Sequence, residues 1–198
     1  MKYGIRSAAF LMAAYAVSTG ALAHVGVDAD VHQDIGLLDG VLHPLSGIDH
    51  LAAMLAVGFW SALGTRRVWL TPLAFTAMLL LGALAGAAGF RLAAVEPMIA
   101  ASLLVLGLLV ALQSRLNVVW AAALVGGFAV FHGLAHGAEL GNTSAVWAPL
   151  LGMMLSTLTL HLVGLALGLG LRHQSVWWPR LAGATVALWG GALLLQIV

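Results

Sequence analysis

Two short stretches of this chain set paired imidazoles and a carboxylate inside otherwise apolar sequence. One is His43-Pro44-Leu45-Ser46-Gly47-Ile48-Asp49-His50; the other is Phe131-His132-Gly133-Leu134-Ala135-His136-Gly137-Ala138-Glu139. Imidazole and carboxylate together suit divalent first-row ions such as Zn, Ni and Co. The chain has no Cys, which removes thiolate sites, disulfides and a Cys nucleophile. In the second stretch His132, His136 and Glu139 stand at i, i+4 and i+7, one face of a helix. In the first, His43 and His50 are seven apart, again one face if the helix is continuous, and Met54 follows His50 at i+4. Asp49 lies about 100° around the helix from His50. It either binds an ion itself or orients a ring through its N–H. Pro44 suits a first helical turn, which places His43 where its helix begins. Two such helices facing each other would bring four imidazoles and two carboxylates together.

Other residues extend the theme. The leader from His24 to Asp34 holds His24, His32 and three Asp, with Asp39 following; it is either an ion-collecting segment or a solvated acidic stretch. His161, with Thr157 one turn away, is either a deeper step on an ion path or a helix–helix hydrogen bond. Glu96, before Pro97, is an outer carboxylate or a favourable charge at a helix N-terminus. Met54, Met98, Met153 and Met154 are thioethers near the clusters, and core filling explains them more simply.

The elements that hold these residues belong in a bilayer. Hydrophobic residues make up 62% and charged residues 8% of the 198 residues, against roughly 25% charged in soluble domains. So few charges cannot cover a soluble surface. Ionisable groups inside such sequence are functional-site candidates by default. The fold class is all-α, a polytopic membrane protein with six transmembrane helices after a cleavable signal peptide. Lys2 and Arg6, the apolar run from Ala8 to Val17 and the Ala21-Leu22-Ala23 site mark residues 1–23 as that signal. Cleavage makes His24 the first residue, and residues 24–36 a periplasmic acidic, His-bearing leader. Residues 37–198 form the membrane domain, with spans at 37–63, 68–89, 94–112, 118–138, 146–171 and 177–198, each near the 20 or so residues that a bilayer requires.

Arg66, Arg67, Arg115, Arg172 and Arg180 fall on one side of these spans and only Arg91 on the other. The positive-inside bias therefore puts both mature termini in the periplasm of a bacterial inner membrane. Trp60, Trp69, Trp120, Trp147, Trp177 and Trp178 fall near span ends, as interfacial aromatics do. Gly82 with Gly86, Gly133 with Gly137, and Gly164 with Gly168 mark close helix packing. Three spans per half would make any internal repeat inverted. Both His stretches lie near the outer face, however, so they read as two walls of one site. Eight scattered Lys and Arg form no basic patch, which excludes nucleic acid as a partner.

The His-x5-Asp-His pattern of His43 to His50 resembles the first-span signature of nickel/cobalt permeases. The Phe-His-Gly-x-Ala-His-Gly-x-Glu pattern of Phe131 to Glu139 resembles the fourth-span signature of the HupE/UreJ family, and the likeness extends over essentially the whole chain. It implies import of Ni²⁺ or Co²⁺, with His43, Asp49, His50, His132, His136 and Glu139 as metal-linked residues and His24 as an N-terminal His exposed by signal cleavage.

The function expected is transport of a divalent transition metal ion into the cytoplasm, not an enzyme. The ion is cargo, no cofactor is implied, and the partners are the ion and the bilayer, with self-association left open. No GxxxxGK[ST] phosphate loop is present to drive transport with ATP. The alternative is an intramembrane metal-dependent hydrolase, which needs the same His ligands and a carboxylate base. A bis-His haem protein is a third reading, and it leaves the clustered carboxylates unexplained.

Overall fold

The computed structural model describes residues 36–140 and 146–197. The expected signal peptide, His24, His32 and the rest of the leader before Gly36 lie outside the described residues. All regular structure among the described residues is helical. In chain order the helices are α1 (Leu37–Ser46), α2 (Ile48–Gly64), α3 (Leu70–Ala87), α4 (Val95–Ala111), α5 (Val118–Leu140), α6 (Trp147–Leu171) and α7 (Trp177–Ile197).

Helices α3, α5 and α6 are long and apolar enough to cross a membrane. Helices α1 and α2 meet that requirement only as a pair, and α4 is a shorter apolar helix. Leu73, Leu81, Leu108, Leu151, Leu155 and Leu188 point outward, while Ser61, Thr71, Ser102, His132, His136, Thr157 and His161 are buried. Large apolar side chains outside, with polar groups held inside an otherwise apolar core, fit surroundings of hydrocarbon. The chain is a helical membrane protein.

The expected continuous span over 37–63 is broken. Helices α1 and α2 meet at an angle of 86°, and Gly47 between them is extended, with φ −96° and ψ 118°. Three residues explain the break. Pro44 lies in the last turn of α1, not in a first turn, and has no N–H to bond back along the helix. Ser46 donates its hydroxyl to the His43 carbonyl at 2.7 Å, taking the acceptor that the Gly47 N–H of a continuing helix would use. The Gly47 carbonyl then accepts from the Leu51 N–H at 2.9 Å and starts α2. Asp39 accepts from the Gly36 N–H at 2.8 Å at the other end of α1.

Small residues let the helices that carry the polar groups approach backbone to backbone. A side chain at Gly133 would collide with the Leu79 carbonyl, and one at Gly137 with the Ala83 carbonyl. This seats α5 against α3 and leaves His132 and His136 facing the interior; packing accounts for these glycines. Gly58 and Gly164 do the same for α2 against α6. Trp60, expected at an interface, is instead fully buried, and its indole N–H donates to the Ser114 carbonyl at 2.9 Å. The other five tryptophans named above are exposed.

Candidate functional site

The break at Gly47 brings His43 and His50 together by a route that helical periodicity does not describe. They belong to different helices, yet both reach α5. His43 Nε2 lies 3.0 Å from His136 Nδ1 and 3.0 Å from Glu139 Oε2, with His136 Nδ1 4.0 Å from the same oxygen. The three donor atoms all fall within 4.8 Å of one another. Donors about 2.1 Å from one ion stand about 3.0 Å apart at right angles and about 3.4 Å apart tetrahedrally, so this group is near ligand spacing without rearrangement. Glu139 is more than half exposed, His43 a little over a third, and His136 only 1%. The group thus runs from the surface inward.

The deeper rings continue from it. The His50 ring centroid is 4.5 Å from that of His136 and 5.2 Å from that of His132. Each ring has one nitrogen held and one free. His50 Nδ1 is 3.0 Å from Asp49 Oδ1; an ionised carboxylate only accepts, so Nδ1 carries the proton and Nε2 keeps a lone pair. Ser102, on α4, donates its hydroxyl to the Ile99 carbonyl at 2.7 Å. Its oxygen is therefore left to accept from His132 Nε2 at 2.9 Å, and His132 Nδ1 keeps a lone pair. His136 Nδ1 faces His43 and Glu139. Among the described residues, His50 Nε2, His132 Nδ1 and His136 Nε2 are buried without a hydrogen-bond partner. Unpaired buried polar atoms are expensive, about 1–3 kcal/mol each, and an oriented ring with an open nitrogen is how ligating histidines are prepared.

Gly47 packs against one of these oriented rings. A β-carbon there would stand 2.9 Å from Asp49 Oδ1 and 3.1 Å from His50 Nδ1, against the very pair that orients His50.

The remaining expected residues fall in different places. Glu96, in the first turn of α4, lines a cleft of ≈ 490 Å³ together with Arg91 and Glu139, so it shares the outer opening. Arg91 is committed elsewhere: it donates to the carbonyls of Gly86 at 2.5 Å and Ala138 at 3.4 Å, near the ends of α3 and α5. Met54 is fully buried in the apolar core, and no polar or ring contact links it to the imidazoles among the described residues. His161, on α6, is buried and touches Phe75, not the other histidines. Sequence reasoning did not pick out Ser102, Gly47 or Phe75. The available signal for Ser102 was a hydroxyl inside the apolar run Ile99–Leu112, since hydroxyls in such helices take hydrogen-bond partners.

Comparison with known proteins finds relatives that cover nearly the whole chain. The profile of the family described as HupE / UreJ protein matches residues 11–193. Among curated proteins, the chain is similar to Protein HupE of Rhizobium leguminosarum bv. viciae, with 43% identity over 188 residues, covering 93% of this chain and 95% of that protein. No solved structure gives a significant match. A profile match over most of the chain, carrying both histidine stretches, establishes that this protein belongs to the HupE/UreJ family.

Proposed function

We propose that the protein is a permease for a divalent first-row cation, Ni²⁺ or Co²⁺, carried across the bacterial inner membrane into the cytoplasm through the His/Asp/Glu cluster. The observation that carries this reading is the graded series of imidazoles. Donors run from exposed Glu139 and His43 to buried His136 and His132, and the buried rings hold one nitrogen and leave the other free. A single tight site would trap its ion, whereas successive sites let it leave. An ion can pass from the Nδ1 side of His136 to its Nε2 side, where His50 and His132 wait.

Six spans, with α1 and α2 together forming the first, set the cluster near the periplasmic face. The positive-inside bias supports this orientation and places both mature termini outside. Signal cleavage after Ala23 would make His24 the first residue of a leader that, with His32, collects ions. Entry of a divalent ion down the membrane potential gains about 4.6 kcal/mol per 100 mV, which suffices without ATP. The protein on this reading is not an enzyme.

The test is accumulation of radiolabelled Ni²⁺, and of Co²⁺ in competition, by cells expressing wild type or His136→Ala at matched protein levels. Uptake by the variant equal to wild type overturns the proposal.

A further inference from the structure

We propose that His161, Thr157 and Thr76 form a second, deeper cation station, divided from the outer cluster by the ring of Phe75. This rests on the reading of the outer cluster as a site for a divalent cation. Phe75, on α3, is fully buried. Its ring lies 5.6 Å from that of His132 and 5.1 Å from that of His161, edge to face. One aromatic ring therefore touches both the innermost imidazole of the outer cluster and the next one.

The far side repeats the pattern of the near side. Thr76 donates to the Pro72 carbonyl at 2.9 Å, so its oxygen accepts from His161 Nδ1, 3.5 Å away. His161 Nε2 then keeps its lone pair, and it is buried with no partner among the described residues. Thr157 stands one turn before His161 on the same face of α6; its hydroxyl is also fully buried and unpartnered. An orphan imidazole nitrogen and an orphan hydroxyl, one helical turn apart on a buried face, offer two donors to a partly dehydrated cation. A cavity of ≈ 170 Å³ beside His161, lined by Trp69, Pro72, Leu73 and Leu158 among others, gives this region room to rearrange. The face of Phe75 supplies no lone pair, so an ion crosses from His132 to His161 only when the ring turns aside.

The experiment uses the full chain in detergent, with Co²⁺ as the probe, counted by equilibrium dialysis and followed by its visible d–d absorption in stopped flow. His161→Ala and His161→Gln should each bind about one Co²⁺ fewer than wild type, losing the slower loading phase while the faster one persists. Phe75→Leu, which keeps apolar volume, should leave the count unchanged and accelerate the slow phase about tenfold, equivalent to about 1.4 kcal/mol off its barrier. An unchanged count in both His161 variants overturns the station. An unaltered or slower second phase in Phe75→Leu overturns the partition. These readouts need no transport, so failure of wild type to move Co²⁺ in proteoliposomes would remove the permease reading and leave the station to be decided by the count.

Discussion

Ser102→Ala tests whether the hydrogen-bond pattern prepares ligands. Ser102 spends its proton on the Ile99 carbonyl and its lone pair on His132 Nε2 at 2.9 Å; both residues are fully buried. Removing the hydroxyl leaves the His132 N–H with no acceptor in place. The ring is then free to turn towards other partners or to adopt its other tautomer, and binding an ion must reverse that choice. Loss of a group that orients a metal-binding His costs about 10- to 100-fold in affinity, or about 1.4–2.8 kcal/mol. That agrees with the roughly 1–3 kcal/mol expected for a buried donor deprived of its acceptor. In cells taking up Ni²⁺, the concentration for half-maximal uptake should therefore rise at least about tenfold, with Co²⁺ binding by purified protein weakened in parallel. Ser102→Thr, which keeps the oxygen at the cost of one methyl, should recover most of the loss. If Ser102→Ala, at matched protein level, keeps the wild-type concentration dependence, then the held-and-free nitrogen pattern has no functional meaning.

Four further outcomes follow from the same geometry. Gly47→Val should weaken Co²⁺ binding through the Asp49–His50 pair, whose atoms lie within 3.1 Å of the missing β-carbon, while helical content by circular dichroism stays near wild type. Gly137→Ala should destabilise the protein by about 1–3 kcal/mol, the usual penalty of overpacking, because its β-carbon meets the Ala83 backbone; thermal melting in detergent measures this, and an unchanged midpoint refutes the close α3–α5 contact. Glu139→Gln should reduce uptake most at submicromolar Ni²⁺, since it removes the charge from the exposed end of the donor group, and Glu139→Asp should fall between the two. Every proposed donor binds metal in its deprotonated form, so Co²⁺ affinity should fall as pH is lowered; a pH-independent affinity measured by titration calorimetry would contradict imidazole ligation.

Much of the site was legible because its residue types are so poorly suited to their surroundings. Four imidazoles and two carboxylates in apolar sequence pick themselves out by cost alone, and the i, i+4, i+7 spacing put His132, His136 and Glu139 on one face of α5, where the structure gathers the last two with His43. The first stretch was read through the wrong geometry. Treating 43–50 as one helix put His43 and His50 on a shared face and carried Met54 with them. Pro44 and Ser46 were read without their joint effect on Gly47, because a proline is equally at home in a first turn, and only the Ser46 hydroxyl on the His43 carbonyl shows which end of a helix this is. Trp60 was misplaced for a similar reason. Proximity to a span end suggested an interface, but a tertiary acceptor at Ser114 drew its N–H inward. Ser102 and Phe75 act across helices, from α4 and α3 onto α5, and pattern within one segment carries no information about such partners.

The 86° break also explains why two motifs of different form make one site. A straight first helix would set His43 and His50 seven residues apart, about 10 Å along its axis, too far for both to reach rings one turn apart on α5. Folding α1 away from α2 at Gly47 lets the two histidines approach from different directions. His43 then approaches His136 from the exposed side while His50 approaches His136 and His132 from within. The same break frees the backbone N–H groups at the start of α2, beside Asp49, whose negative charge a helix N-terminus favours. A helix end thus holds the carboxylate, the carboxylate fixes the proton on His50 Nδ1, and that proton leaves Nε2 open towards the interior. The sequence His-Pro-x-Ser-Gly-x-Asp-His is, on this argument, a single device. Its proline, serine and glycine place the turn, and the turn sets its histidines at different depths of the same cluster.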